Sequence, residues 1–525
     1  MKFRHSMTWL HTWAGLVFGA LLYLMFVTGS AGYFDLEITR WMQPEIPVQQ
    51  SSFDAPALLP KAEQRLQQLA PHADHVYIEL PEGRSPYFMI WWHNPKGVDN
   101  PGWHSEVLDP SSGAPVAVRN TAGGEFLYRL HYVLHYIPKG LAYWLTSLAA
   151  MFMLVAIVTG VVIHRRIFKD FFTFRRSHRQ TAWLDMHNLM GVLPLPFHLM
   201  ITYSGLILLM FSTMLPVPAS SFGLNPEKLR QVYDTVFSDG DHARGNGMAA
   251  SSLPLVELYN LDHSKHSGAT IAYLAVENWG DEKAVVEVGK LAQTGLEPFD
   301  VSYYQAVNGE SFKGESQLRD RFLSLSFYHV IEHLHEGLFA GPWLRWLYFL
   351  SGLMGAGMVA TGSIFWAIKR RHAHEKAGLD SRAVRWVENL NVGVIAGLPI
   401  AIGGYFLTSR LLSATLENRV DWEMHSLFVV WFVALLHPFL PRRQCDLSQL
   451  WAEQFKAAAV VYASIPFVNW MTSEVHLGMS LKYQDWTLVG FDFFALVLAA
   501  CCAYFVHKIN GRQRVSTMET VGVSQ

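Results

Sequence analysis

Long uncharged apolar blocks alternate with polar segments along this chain, and block length is the first constraint. About 20 apolar residues, at roughly 1.5 Å each in a helix, cross the ~30 Å hydrocarbon core of a bilayer. Residues 9–34, 140–164, 186–214, 346–368, 389–409 and 424–441 contain no Asp, Glu, Lys or Arg. Two further stretches are less clean. Residues 457–473 become long enough when begun near Gln449, and residues 486–507 hold one carboxylate, Asp492. The pattern predicts eight membrane helices, at residues 1–34, 140–166, 184–214, 343–371, 386–412, 423–441, 449–473 and 486–507. The first is too long, and its end too unlike a small-residue cleavage site, to be a removable signal peptide.

The segments 35–139 and 215–342 follow a different rhythm. Short alternating runs at 75–80, 87–92, 270–276 and 284–288 predict strands, and residues 61–70 an amphipathic helix. Each segment is therefore expected to hold a small α+β module. Basic residues fix the side, because Lys and Arg near span ends stay cytoplasmic. Lys2 and Arg4, six basic residues from Arg165 to Arg179, six from Lys369 to Arg385, Arg442 with Arg443, and Lys508, Arg512 and Arg514 all fall on one side of an eight-span chain. Both termini are then cytoplasmic, both modules are periplasmic, and the site of action is a bacterial inner membrane.

Composition agrees with that class. Of 525 residues, 51% are hydrophobic and 16% charged, against about 25% charged in soluble proteins, and mean hydropathy is +0.15. The 41 Lys and Arg nearly balance 43 Asp and Glu, so nothing points to nucleic acid. The three cysteines, Cys445, Cys501 and Cys502, form no CxxC or CxxCH, which excludes covalent c-type haem and a disulfide scaffold. No GxGxxG follows a strand, no cytoplasmic segment is long enough for a flavin or nicotinamide domain, and HExxH and GxSxG are missing.

The chain repeats itself, and the repeat carries histidines. His11 precedes Gly15 by four residues and Thr28-Gly29 by 17 and 18; His187 precedes Gly191 and Ser204-Gly205 by the same intervals. His131 in LHYVL stands before the second span as His335 in LHEGL stands before the fourth, and those spans end in Thr159-Gly160 and Thr361-Gly362 ahead of basic clusters. The unit of helix, external module and helix thus occurs twice, in residues 1–166 and 184–371, as expected for repeats related by an axis along the membrane normal. Residues beyond 371 show no such match.

The segments LHTWAGL…TG, FLYRLHYVLH…TGVVIHRR, WLDMHNLMGV…SGL and HLHEGLFAG…TG resemble the PepSY-associated transmembrane helix family over residues 1 to about 371. The resemblance implies a mainly α membrane protein with two PepSY-like periplasmic modules. Among the family's ferric-siderophore reductases it also implies two b-type haems held by histidine.

Neutral imidazole ligates haem iron axially, and two such ligands favour electron transfer over oxygen chemistry. His11 and His187, at matching depth near the cytoplasmic side, are the expected ligands of one iron. His131 and His335, at matching depth on the opposite side, are those of a second. A single histidine at a helix end ordinarily sits at headgroup level, bonded to water or phosphate; two symmetric pairs favour ligation. Secondary candidates are His198, His135, His333 and His164. His198 lies 11 residues after His187, about 20° around a straight helix. His425 and His437, about 120° apart, do not share a face. Helix packing explains Gly15, Gly29, Gly160, Gly191, Gly205 and Gly362 as well as porphyrin approach does. Asp492 is either a proton relay or an interfacial carboxylate that reaches water, and one of Trp91 and Trp92 should point into a core.

The leading function is an oxidoreductase with two haem b groups, passing electrons from a cytoplasmic or quinol donor to a ferric siderophore or other Fe(III) chelate in the periplasm. The alternatives are a non-redox binding or regulatory membrane protein and a transporter built on paired repeats.

Overall fold

The computed structural model describes residues 2–46, 54–82, 84–164, 179–210, 225, 227–228, 245–291, 299–311, 323–441 and 446–522. The basic residues Arg165 to Arg176 and Arg442 with Arg443, and the end of the third expected span at 211–214, lie outside this set. The chain divides into two compact units, Met1–Pro44 with Arg119–Thr213 and Gly341–Gln525, and Glu45–Val118 with Met214–Ala340.

In chain order, α1 (Lys2–Gly32) and α2 (Asp35–Met42) belong to the first unit, and α3 (Ala55–Leu69), β1 (His75–Glu79), β2 (Phe88–Asn94) and β3 (Gly102–Leu108) to the second. The first unit continues with α4 (Gly123–Val133), α5 (Lys139–Ile163), α6 (Arg179–Val192) and α7 (Leu195–Leu208). The second adds α8 (Leu255–Lys265), β4 (Ile271–Glu277), β5 (Val285–Leu291), β6 (Phe299–Gln305) and α9 (Leu323–Glu336). The first closes with α10 (Pro342–Ala377), α11 (Arg382–Ile395), α12 (Gly397–Leu411), α13 (Arg419–Leu436), α14 (Leu447–Thr472), α15 (Leu477–Lys482) and α16 (Trp486–Gly522).

Among the described residues, six helices are long and apolar enough to cross a membrane: Phe3–Gly32, Lys139–Ile163, Pro342–Ala377, Arg382–Leu411, Arg419–Phe439 and Trp486–Gly511. A seventh span arises if the bent pair Thr181–Val192 and Leu195–Leu208 is counted as one. The bend is 64°, and it falls at Leu193-Pro194-Leu195-Pro196. Proline there withholds backbone N–H groups and its ring clashes with the preceding turn, so a straight helix is not sustained. The stretch at 449–473 is helical, as α14, but Gln449, Glu453, Gln454 and Lys456 in its first turns lower its apolarity, and it is not among those six.

Within the first unit α1 packs against both α5 and α10, and α10 against α6. Helices beyond the repeat join the same core: Leu398, Ala401 and Tyr405 of α12, Leu427 of α13, Tyr462 and Ile465 of α14 and Leu488 and Ala495 of α16 pack with Tyr23 and Leu24 of α1, Trp41 and Met42 of α2 and Phe126 and Leu130 of α4.

The second unit places the strands of both long segments in a single antiparallel sheet of order β3-β2-β1-β4-β5-β6. Each half contributes one helix followed by three strands, and the halves join where β1 pairs with β4 about Tyr77↔Ala275. The alternation read from the sequence sets the faces. Val76 and Ile78 of β1, Ile90 of β2, Leu274 and Val276 of β4 and Val286 and Val288 of β5 bury against Leu59, Ala62 and Leu66 of α3 and Leu255 and Leu258 of α8. His75, Tyr77 and Glu79 occupy the opposite, half-open face of β1. Trp92 packs on the core while Trp91 stays 37% exposed, as adjacent strand residues must.

Candidate functional site

The repeat brings His11 of α1 and His187 of α6 together. Their imidazole centroids lie 6.2 Å apart with ring planes at 80°. Each ring is held by the helix that pairs with its own. His11 Nδ1 lies 2.9 Å from the Ala156 carbonyl oxygen of α5 and 3.3 Å from Thr159 Oγ1. His187 Nδ1 lies 2.7 Å from the Met358 carbonyl oxygen of α10. Ala156 precedes Thr159-Gly160 by the interval at which Met358 precedes Thr361-Gly362, so the holding groups obey the same repeat as the histidines.

A carbonyl can only accept, so each Nδ1 carries the proton and donates it; each Nε2 is then left with a lone pair. This is the ligating tautomer, oriented by a backbone partner in the way metal-binding histidines ordinarily are. Glycine makes the approach possible. A Cβ at Gly160 would come within 3.3 Å of His11 Cε1, and one at Gly362 within 3.0 Å of His187 Nδ1 and Cε1. Sequence reasoning found these glycines and threonines as repeat markers, but not that they face the imidazoles. The carbonyl partners left no signal, since any residue type supplies a carbonyl.

His131 of α4 packs against α1, where a Cβ at Gly29 would meet its ring at 3.5 Å. Its Nδ1 donates to the Tyr128 carbonyl oxygen, and Tyr128 and Tyr132 stand against its ring at centroid distances of 5.5 and 5.1 Å. Burial pushes His131 down to about 4, against the opposing effect of the Tyr128 bond, so the ring is neutral near pH 7. His335 and His333 lie in the last turn of α9, in the second unit, with His333 buried.

The secondary candidates have other partners. His198 in α7 is fully buried, with Nε2 3.1 Å from the Ser351 carbonyl oxygen and its ring 5.5 Å from Phe26. The shared face inferred for His187 and His198 presupposed one straight helix. The 64° bend between α6 and α7 removes that premise. His164 Nε2 accepts from Asn188 Nδ2 at 3.1 Å, and His135, in a left-handed backbone conformation, stacks on Phe428. His437 Nε2 contacts Glu453 at 3.0 Å, and His425 Nδ1 contacts the Tyr136 hydroxyl.

Asp492 does not reach water. It is 1% exposed, and its two carboxylate oxygens accept from Trp41 Nε1 at 2.9 Å and Asn469 Nδ2 at 3.0 Å. The interfacial reading failed because span depth was judged on one helix, whereas α2 and α14 cover that carboxylate.

These features define a multi-pass helical membrane protein with a duplicated histidine-bearing helix pair and a duplicated α+β unit. The chain belongs to the PepSY-associated TM region family, whose pattern matches residues 8–369, nearly all of both repeat copies. It is also similar to a protein of Pseudomonas aeruginosa described as uncharacterized, PA4219, at 26% identity over 308 residues, covering 56% of this chain and 75% of that one.

Proposed function

We propose that this protein is an inner-membrane di-haem b oxidoreductase that carries electrons from a cytoplasmic or quinol donor to a ferric chelate, a ferric siderophore above all, in the periplasm. The observation that carries this reading is the His11–His187 pair. Were a haem bound there, His11 and His187 would both hold its iron through Nε2, which requires the two imidazoles to lie close together. The observed separation is 6.2 Å, and both Nε2 lone pairs are free of the carbonyl bonds that hold the rings. The donor set therefore fits a bis-histidine haem.

A haem bound there would supply one-electron transfer. The chain's own residues do the rest. His11 and His187 ligate, the Ala156 and Met358 carbonyls fix the tautomer and ring orientation, and Gly160 and Gly362 leave space for the rings. A second haem is proposed from the sequence symmetry of His131 and His335 alone, and the PepSY-like modules are proposed to receive the ferric complex. Reduction to Fe(II) weakens a hard-oxygen chelate and frees the iron.

Eight spans and cytoplasmic termini complete the proposal, with α6–α7 as one broken span and α14 as another. Arg4 donates to the Ile163 carbonyl oxygen at 2.8 Å, which puts the start of α1 beside the end of α5. That supports one basic side for the first two spans. Pyridine haemochrome of the purified protein should give about two non-covalent haems per chain. His11→Ala and His187→Ala should each remove the same one. Dithionite-reduced protein mixed with a ferric siderophore should reoxidise and yield Fe(II) to a ferrous chelator. Protein expressed with ample haem that shows no Soret band would overturn the proposal in favour of a non-redox binding role.

A further inference from the structure

A second set of metal-type donors lies outside the membrane helices. His75 on β1 and His93 on β2 are direct cross-strand partners on the open face of the sheet, and Asp74 immediately precedes β1. Asp74 Oδ1 lies 2.6 Å from His93 Nδ1 and 3.1 Å from His75 Nδ1. One ligand atom from each of the three residues falls within 4.8 Å of the others. His75 Nδ1 is closed off from solvent and faces the Asp74 carboxylate. Two nitrogens and an anionic oxygen thus converge, and one nitrogen has nothing but the cluster to satisfy it.

The backbone holds the donors in place. Asp74 N–H donates to the His93 carbonyl oxygen at 3.1 Å, and the Asp74 carbonyl accepts from Trp279 N–H at the same distance. Trp103, opposite His93 on β3, stands 5.3 Å from the His93 ring and 6.2 Å from the His75 ring and is 61% exposed. It forms one wall of the cluster. Ligands on rigid strands, fixed by main-chain bonds, are the arrangement that preorganises a site.

We infer that Asp74, His75 and His93 bind one divalent first-row transition-metal ion through two Nδ1 atoms and a carboxylate oxygen, with the remaining positions open to solvent. Around such an ion, ligands at about 2.0–2.1 Å stand a little over 3 Å from one another, close to the spacing observed. The two-histidine, one-carboxylate set suits Zn(II), Fe(II) and Co(II) and does not suit Ca(II) or Mg(II), which take oxygen. The inference is independent of the haem reading, which uses none of these residues.

The test uses the full-length chain in detergent, stripped with chelator and titrated with Zn(II) alone by calorimetry. Histidine carbethoxylation is mapped in parallel by mass spectrometry. Zn(II) is expected to protect His75 and His93 together from modification, a readout needing no variant. The His75→Gln/His93→Gln chain should bind one Zn(II) fewer, and Asp74→Asn should weaken that ion roughly tenfold or more. Absence of Zn(II) protection at both histidines, or equal zinc stoichiometry in the native and doubly substituted chains, would overturn the inference and leave an ordinary carboxylate–histidine ion pair.

Discussion

Gly362 and Gly160 occupy equivalent places in the repeat, yet they have unequal room. A methyl group at Gly362 would press on two atoms of His187 at 3.0 Å, whereas at Gly160 the nearest imidazole atom is 3.3 Å away. The His187 ring has little freedom to yield without lengthening its 2.7 Å bond to the Met358 carbonyl. Gly362→Ala is therefore expected to displace His187 and lower haem retention more than Gly160→Ala does, measured as the Soret-to-protein absorbance ratio after purification. Equal retention in the two variants would mean that these glycines serve helix contact rather than ring placement. At this scale the sequence is informative about residue types that repeat, and His11, His187, Gly160 and Gly362 were all visible in it. It is silent about the Ala156 and Met358 carbonyls, and about the cluster at Asp74, whose partner His93 arrives only through strand pairing.

Elements made of uniform apolar residues are legible because length alone identifies a candidate span, and α1, α5 and α10 are among the helices long and apolar enough to cross a membrane. Departures came where one element depends on another. The third expected span bends at Pro194 and Pro196. The Asp492 carboxylate of α16, judged alone, looked interfacial, but it is enclosed by α2 and α14. A buried carboxylate with two donors aimed at it leaves both donors stranded when removed, at a cost of about 1–3 kcal/mol for each buried group. Asp492→Ala is thus expected to destabilise the junction of α2, α14 and α16 by a few kcal/mol, read as a lower midpoint of thermal unfolding in detergent. Asp492→Asn keeps one accepting oxygen and should lose markedly less. If the two substitutions shift the midpoint equally, the Trp41 and Asn469 bonds contribute little and the carboxylate has another role.

Duplication organises residues 1–371, and it does so differently in each unit. In the first, the copies meet through histidines on α1 and α6 and their partner helices. In the second, the copies merge at their first strands, β1 and β4, into a single six-stranded sheet, a union that periodicity could not reveal because a strand's pattern names its buried face and not its neighbour. The β1–β4 pairing is testable by cross-linking. Leu80 N–H donates to the Ala272 carbonyl oxygen at 2.8 Å, which makes Leu80↔Ala272 a hydrogen-bonded pair. In an antiparallel ladder bonded and non-bonded pairs alternate, so Tyr77↔Ala275, three residues along the register, is a non-bonded pair. Such pairs have Cα atoms about 4.5 Å apart, inside the ~4.4–6.8 Å range that a disulfide spans. Tyr77→Cys with Ala275→Cys should therefore oxidise to a cross-link between the two segments, seen as a linked peptide pair that reduction separates. Tyr77→Cys with Val276→Cys, one residue on and facing the opposite side of the sheet, should not. Cross-linking of both pairs at equal rates would show that the two segments meet without a fixed register, and a sheet continuous through β1 and β4 would then be excluded.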